Sequence, residues 1–204
     1  MACIAIVFVP GCSDNDDGDK SPTGGGSSAG SLSDHAGANA VVTEDNVDEV
    51  TAEINTTAWR VFGAGLTKIQ VGKPADYTTN LSGDVVGLKN GKATVKGKIV
   101  TKMNVATVSG VDYDFTCTFY DFSDDGQLYL GGSLSYKGSA KYSNNMPESQ
   151  TITIKGGLKF NGKYSGEEDF TTTVTINMST GKASYEGTTT VTSGGKTFTQ
   201  SFKY

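Results

Sequence analysis

A mainly β fold is predicted, an antiparallel meander forming a strongly coiled sheet or barrel of about eight to ten strands, with one N-terminal helix on its apolar face. Three observations carry this. Apolar residues alternate with polar ones from Tyr77 to the C-terminus, turn dipeptides separate the alternating runs, and one earlier stretch has the helical period instead.

The helical stretch is TEDNVDEVTAEINTTAWRVFGAG, where Val47, Val50, Ile54, Ala58 and Val61 recur at three- and four-residue steps. Asn46 with Glu49 three residues on is close to a capping box, and Glu44, Asp45 and Asp48 suit the positive end of the helix dipole. Gly63 and Gly65 are stop signals, so the helix is expected over about 44 to 62, with Trp59 and Phe62 widening its apolar stripe.

The strands follow in order. Ala93, Val95, Gly97, Ile99 and Thr101 share one face, as do Val111, Tyr113, Phe115, Cys117 and Phe119. Leu128, Leu130, Gly132, Leu134 and Tyr136 form the next set, then Ile152, Ile154, Gly156, Leu158 and Phe160. Phe170, Thr172, Val174, Ile176 and Met178 precede Ala183, Tyr185, Gly187, Thr189 and Val191, and Phe198, Phe202 and Tyr204 close the series. The opposite faces are mostly Thr, Ser, Lys and Asp, the mark of a sheet with one buried face. Asn90-Gly91, Asn161-Gly162 and Gly194-Gly195 suit tight hairpins, and Asp125-Gly126 and Thr180-Gly181 slightly longer ones.

The chain also repeats itself. Residues 114–137 align without gaps to 169–192, with six of 24 positions identical, and TVKG at 94–97 matches TIKG at 153–156. A duplication over about 92–138 and 150–193 follows. Gly97, Gly132, Gly156 and Gly187 fall mid-strand on the inward face, which implies sharp coiling, close approach of the helix, or both. The outward Gly131 is expected to accept a larger side chain.

The N-terminus has its own organisation. Residues 2–9, ACIAIVFV, are apolar and lead into Val-Pro-Gly-Cys, the layout of a secretory signal over residues 1–12. Residues 13–40 hold one Leu and no other large apolar side chain, so a disordered polar tether is expected there, with the β-rich domain over 41–204. No run of 18 apolar residues occurs.

Gly11-Cys12 resembles a bacterial lipobox, which implies cleavage before Cys12, lipidation of that cysteine, and attachment to the membrane through the lipid. Pro10 before the glycine and the lack of Lys or Arg ahead of the apolar run depart from that pattern and point to a start further upstream. Ser13-Asp14-Asn15-Asp16-Asp17 is similar to the Ser-plus-aspartate signal of surface-exported lipoproteins of Bacteroidota. The helix followed by Gly/Thr-rich hairpins, such as DFSDDGQLYLGGSLSYKG, resembles uncharacterised Gram-negative and calycin-like barrel lipoproteins over roughly residues 40–204. The resemblances imply a lipid-anchored protein of the bacterial cell envelope, at the outer membrane and exposed on its surface.

Composition narrows the chemistry. A net charge of -5 and pI near 4.9, with no basic segment, give no footprint for nucleic acid. Cys3, Cys12 and Cys117 have no disulfide or metal-ligand spacing. The single histidine, His35, lies in the polar segment, away from any rigid setting a catalytic triad requires. No catalytic residue, cofactor or metal is expected. The expected role is non-enzymatic binding or structure, with a glycan, a small apolar ligand or a protein as partner; the alternatives are a calycin-like carrier and a carbohydrate-binding protein or carboxylate-dependent glycosidase.

The candidate site lies around the 122–127 turn. Tyr120 and Tyr129 are expected to face each other on the outer side with Phe122 beside them, flanked by Asp121, Asp124 and Asp125. Exposed aromatic rings beside carboxylates suit a sugar ring and its hydroxyls. An ordinary cross-strand aromatic pair, or a bulge that turns Phe122 inward, is the competing expectation. Glu167, Glu168 and Asp169 are read as a solvated acidic loop; with Asp112 and Asp114 on a neighbouring strand, calcium binding or a glycosidase carboxylate pair is the alternative.

Overall fold

The computed structural model describes residues 30–66, 75–104, 107–143, 146–177 and 182–203, with backbone alone for 182–185 and 202–203. The expected signal segment, Cys12, most of the tether, and the Thr180-Gly181 turn lie outside the described residues.

The alternating runs form eight long antiparallel strands in chain order. These are β2 (Tyr77–Val86), β3 (Asn90–Asn104), β4 (Thr107–Ser123), β5 (Leu128–Ser143), β6 (Met146–Gly162), β7 (Tyr164–Asn177), β8 (Lys182–Ser193) and β9 (Lys196–Lys203). A ninth strand, β1 (Ala40–Val41), pairs in parallel with β7. Each of β2 to β8 pairs with the next, and β9 does not return to β2. The sheet is therefore strongly coiled but open, and the closed-barrel form of the expectation does not occur.

Helix α1 (Val47–Leu66) lies on the inner face, burying Val47, Val50, Ile54, Ala58, Val61, Phe62 and Leu66. Phe62 packs among Tyr113, Phe115 and Tyr136, with ring centroids 5.0 to 6.3 Å away. The Tyr136 hydroxyl donates to the Ala58 carbonyl at 3.3 Å, which satisfies a buried polar group. Between helix and sheet, the gap lined by Asn55, Ala58, Trp59, Leu134, Tyr136, Ile154 and Phe170 is too narrow to admit a water molecule.

Both ends of α1 differ from expectation. It runs through Gly63 and Gly65 to Leu66: Gly65 is buried, with Val95 and Phe115 close enough to touch a Cβ placed there, and tertiary packing overrides weak propensity. Asn46 precedes the first helical residue, but its side chain accepts from Thr43 N–H at 2.8 Å rather than capping forward. Glu49 instead takes a 2.7 Å bond from Lys163 Nζ.

The inward glycines have one clear cause. At Gly97, Gly132 and Gly156 φ is 146°, 121° and 140°, and an added Cβ would collide with the neighbouring strand's backbone. The row serves coiling; the atoms crowding those three positions belong to the sheet and not to the helix. The duplication persists as elements only. Gly132 pairs with Phe119, whereas Gly187 pairs with Thr172, two residues from the position equivalent to Phe119.

Residues 30–42 are the main departure from a tether ending at residue 40. They form a strap against the sheet. Gly30 abuts Gly132, and the Ser31 carbonyl accepts from Asp121 N–H at 3.2 Å. Asn39, at φ 41°, exchanges two bonds with Gly162, and Val42 is fully buried with its N–H on Ser193 Oγ at 2.9 Å. The backbone groups of the strap thus find partners that an isolated polar segment lacks.

Candidate functional site

The β4–β5 hairpin carries the candidate residues. Pairing passes from Phe119 opposite Gly132 to Phe122 opposite Leu130, so Tyr120 and Asp121 together face one residue. This is a β-bulge, and Asp121 sits in it at φ 51°. The extra residue reverses the alternation, and Phe122 turns inward, fully buried and edge-on to Phe119 at 5.6 Å. The three-ring outer cluster is therefore not formed. Tyr120 stays half-buried on the outer side, opposite Lys92 of β3.

Tyr129 has a different ring partner. His35 of the strap stacks on it with centroids 3.6 Å apart and planes 5° from parallel. The Tyr129 hydroxyl donates to the Gly126 carbonyl at 3.0 Å. Asp121 receives the strap as well. Ser33 N–H and Oγ donate to its two carboxylate oxygens at 2.6 and 2.5 Å, and His35 Nε2 lies 3.1 Å away at ion-pair distance. Burial pulls the Asp121 carboxyl up, but the bonds from Ser33 and the contact with His35 outweigh it and hold it below its ordinary range. Asn161 Nδ2 donates to the Ser33 carbonyl at 2.6 Å and completes the seat.

The other two aspartates face the helix. Asp124 takes a bidentate bond from Arg60 at 2.6 and 2.5 Å, and Leu88 N–H at 3.0 Å. Arg60 also covers the Phe122 ring, 5.0 Å from its centroid. Asp125 holds its own turn, accepting from Gln127 and Leu128 N–H at 2.8 and 3.0 Å and from Ser123 Oγ at 3.2 Å. Burial raises the Asp125 carboxyl, and those bonds with one from Glu53 lower it further than burial lifts it. Glu53 is raised, first by burial and then by Asp125.

The acidic residues at 165–170 do not form a loop. They belong to β7, and Asp112 and Asp114 lie on β4, with β5 and β6 between. Glu167 pairs with Lys159 at 3.0 Å on the outer side. Glu168 is fully buried on the inner side, opposite Leu158 and Val191, and neither carboxylate oxygen has a hydrogen-bond partner. Burial pushes its carboxyl well up. Among the described residues, no group of three or more His, Cys, Asp or Glu is arranged to hold a metal ion.

Elsewhere the outer face is charged and cross-paired. Lys92–Asp84, Lys102–Asp112 and Lys137–Asp114 stand at 2.6, 2.8 and 3.6 Å. An open depression of about 380 Å³ lies over Lys98, Val100, Asp112, Asp114, Lys137 and Ser139. The strap itself was missed by sequence reasoning. Its available signal was the lone Leu32 and the short apolar run Ala40-Val41-Val42 ahead of the helix. Comparison with family models, curated proteins and solved structures finds no match.

Proposed function

We propose that the chain is a non-enzymatic lipoprotein of the bacterial cell envelope, anchored by lipid on Cys12, whose folded body is a binding module presenting the outer face of its sheet. The observation that carries this reading is the order of segments. An apolar run ends at Gly11-Cys12, residues 13–29 are polar, and residues from Gly30 onward include the folded body. No described helix is long and apolar enough to cross a membrane.

Helix α1 supports an outward-facing role, since it fills the inner apolar face that a carrier would keep for its ligand. What remains for a partner is the outer face, with its cross-strand ion pairs and the Asp121–Tyr129 seat.

The test is metabolic labelling. Cells expressing the full reading frame, with its natural upstream sequence, are fed an alkyne-tagged fatty acid. The expected result is a labelled protein whose label disappears in Cys12→Ser. A label that survives the substitution, or never appears, sinks the anchored reading.

A further inference from the structure

The outer seat at the β4 bulge is occupied by the chain's own residues, and how they occupy it is informative. His35 lays a flat ring on Tyr129, Ser33 gives two donors to the Asp121 carboxylate, and the Ser33 carbonyl accepts from Asn161. A pyranose ring offers the same set: an apolar face for an aromatic ring, and neighbouring hydroxyls that donate to a carboxylate and accept from an amide.

We propose that Tyr129, Asp121 and Asn161 form a saccharide site, and that residues 30–36 are a displaceable cover on it. The inference deepens the binding reading above and rests on it, though not on the lipid anchor.

Three further observations support it. First, the bulge belongs to one copy of the duplication alone. In the second copy Thr175 and Ser184 hold the positions of Tyr120 and Tyr129 and face each other in unbroken pairing. Second, Asp121 is a non-glycine residue at φ 51°, a conformation that costs energy and concentrates at binding and catalytic sites. Third, the cover is weakly held. Ser31, Ser33, Asp34 and Ala36 are exposed, and its one large apolar residue, Leu32, is only half-buried. A segment held by surface polar contacts opens at low cost.

Opening needs no unfolding beyond the cover. Asn39 and Val42 remain pinned by Gly162 and Ser193, so residues 30–36 can lift while 39–42 stay. The site carboxylate selects the ligand class. Asp121 accepts donors and repels anions, so neutral or amino sugars fit, and uronates and sugar phosphates do not.

The experiment uses the full chain carrying Cys12→Ser, so that lipidation plays no part. It is applied to immobilised neutral, amino-sugar and uronate oligosaccharides. Wild type is expected to retain a neutral or amino-sugar glycan weakly. The Ser33→Ala/His35→Ala variant, which loosens the cover, should bind the same glycan about tenfold more tightly, because the competent state is no longer a minority. Tyr129→Phe keeps the ring and should retain binding, while Tyr129→Ala should abolish it. Asp121→Asn tests the site without removing bulk and should weaken binding. A cooperative melt establishes that each variant folds. Failure of every folded variant to retain a glycan overturns the site. Equal binding by wild type and the uncovered variant overturns the cover. Either failure, with Cys12 labelled as above, leaves the anchored reading standing.

Discussion

Gly131 and Gly132 are neighbours on one strand, yet a side chain at each meets different matter. Gly132 has φ 121°, and an added Cβ would strike the Gly157 carbonyl of β6. Gly131 has no such backbone constraint, but its Cβ would press on Leu32 and on the Gly30 and Ser31 carbonyls of the strap. The expectation that Gly131 tolerates bulk therefore fails, because the strap covers that face. Gly132→Val is expected to cost about 1–3 kcal/mol or more from overpacking and strain. Gly131→Val should cost less, since the strap can move aside, and denaturant midpoints of the two variants check the order. Glu168 supplies a second case. Its carboxyl is raised far above 4.5 by burial, so it is protonated in the fold and ionises in the unfolded chain. Stability from this group is full below 4.5 and is lost as pH rises towards the raised value. Melts of wild type against Glu168→Gln should diverge with rising pH, wild type falling faster; parallel curves would contradict a buried, unpartnered carboxyl. The alternation counted back from Phe170 lands Glu168 on the inner face, so its placement was legible. It was read as a solvated loop because three acids in a row outweighed the period.

At the scale of elements, the regular pieces were legible and the irregular ones were not. Helix α1 and β3 to β8 follow the sequence period, since burial of one face dictates both. The helix runs four residues past its expected stop because its last turn, with Gly65 and Leu66, is buried against the sheet, a setting no local signal contains. The bulge at Tyr120-Asp121 escaped for a similar reason: the sequence could offer it only as a competing expectation, and the strap that fills it is 88 residues away. Deletion of residues 1–29 should leave the thermal midpoint unchanged. Deletion of 1–42 should cost about 2–3 kcal/mol, mainly the burial of Val42 and its neighbours. Equal stability of the two truncations would show that the strap contributes nothing to the body.

The whole molecule is an open coiled sheet whose chain begins, among the described residues, on the outer side and passes round to the inner side. The strap meets β4 and β5 at Asp121 and Gly131, passes Asn161 and Gly162, pairs with Tyr164 and Ser165 at the start of β7, and delivers α1 to the inner face. One continuous segment therefore touches both faces, and the candidate site lies where it starts. The sequence grouped Asp121 with Tyr129, but it set Phe122, Asp124 and Asp125 beside them, left out Asn161, and gave no sign that the chain itself sits on that pair. His35 is the single histidine of the chain, so its ring protons give one resolved set of NMR signals. The most direct measurement is the contact between His35 and Tyr129 in the full chain. Stacking at 3.6 Å should shift the His35 ring protons upfield and give cross-relaxation to the Tyr129 ring, both lost in Tyr129→Ala. His35 signals at free-peptide positions, with no cross-relaxation to Tyr129, would contradict the account.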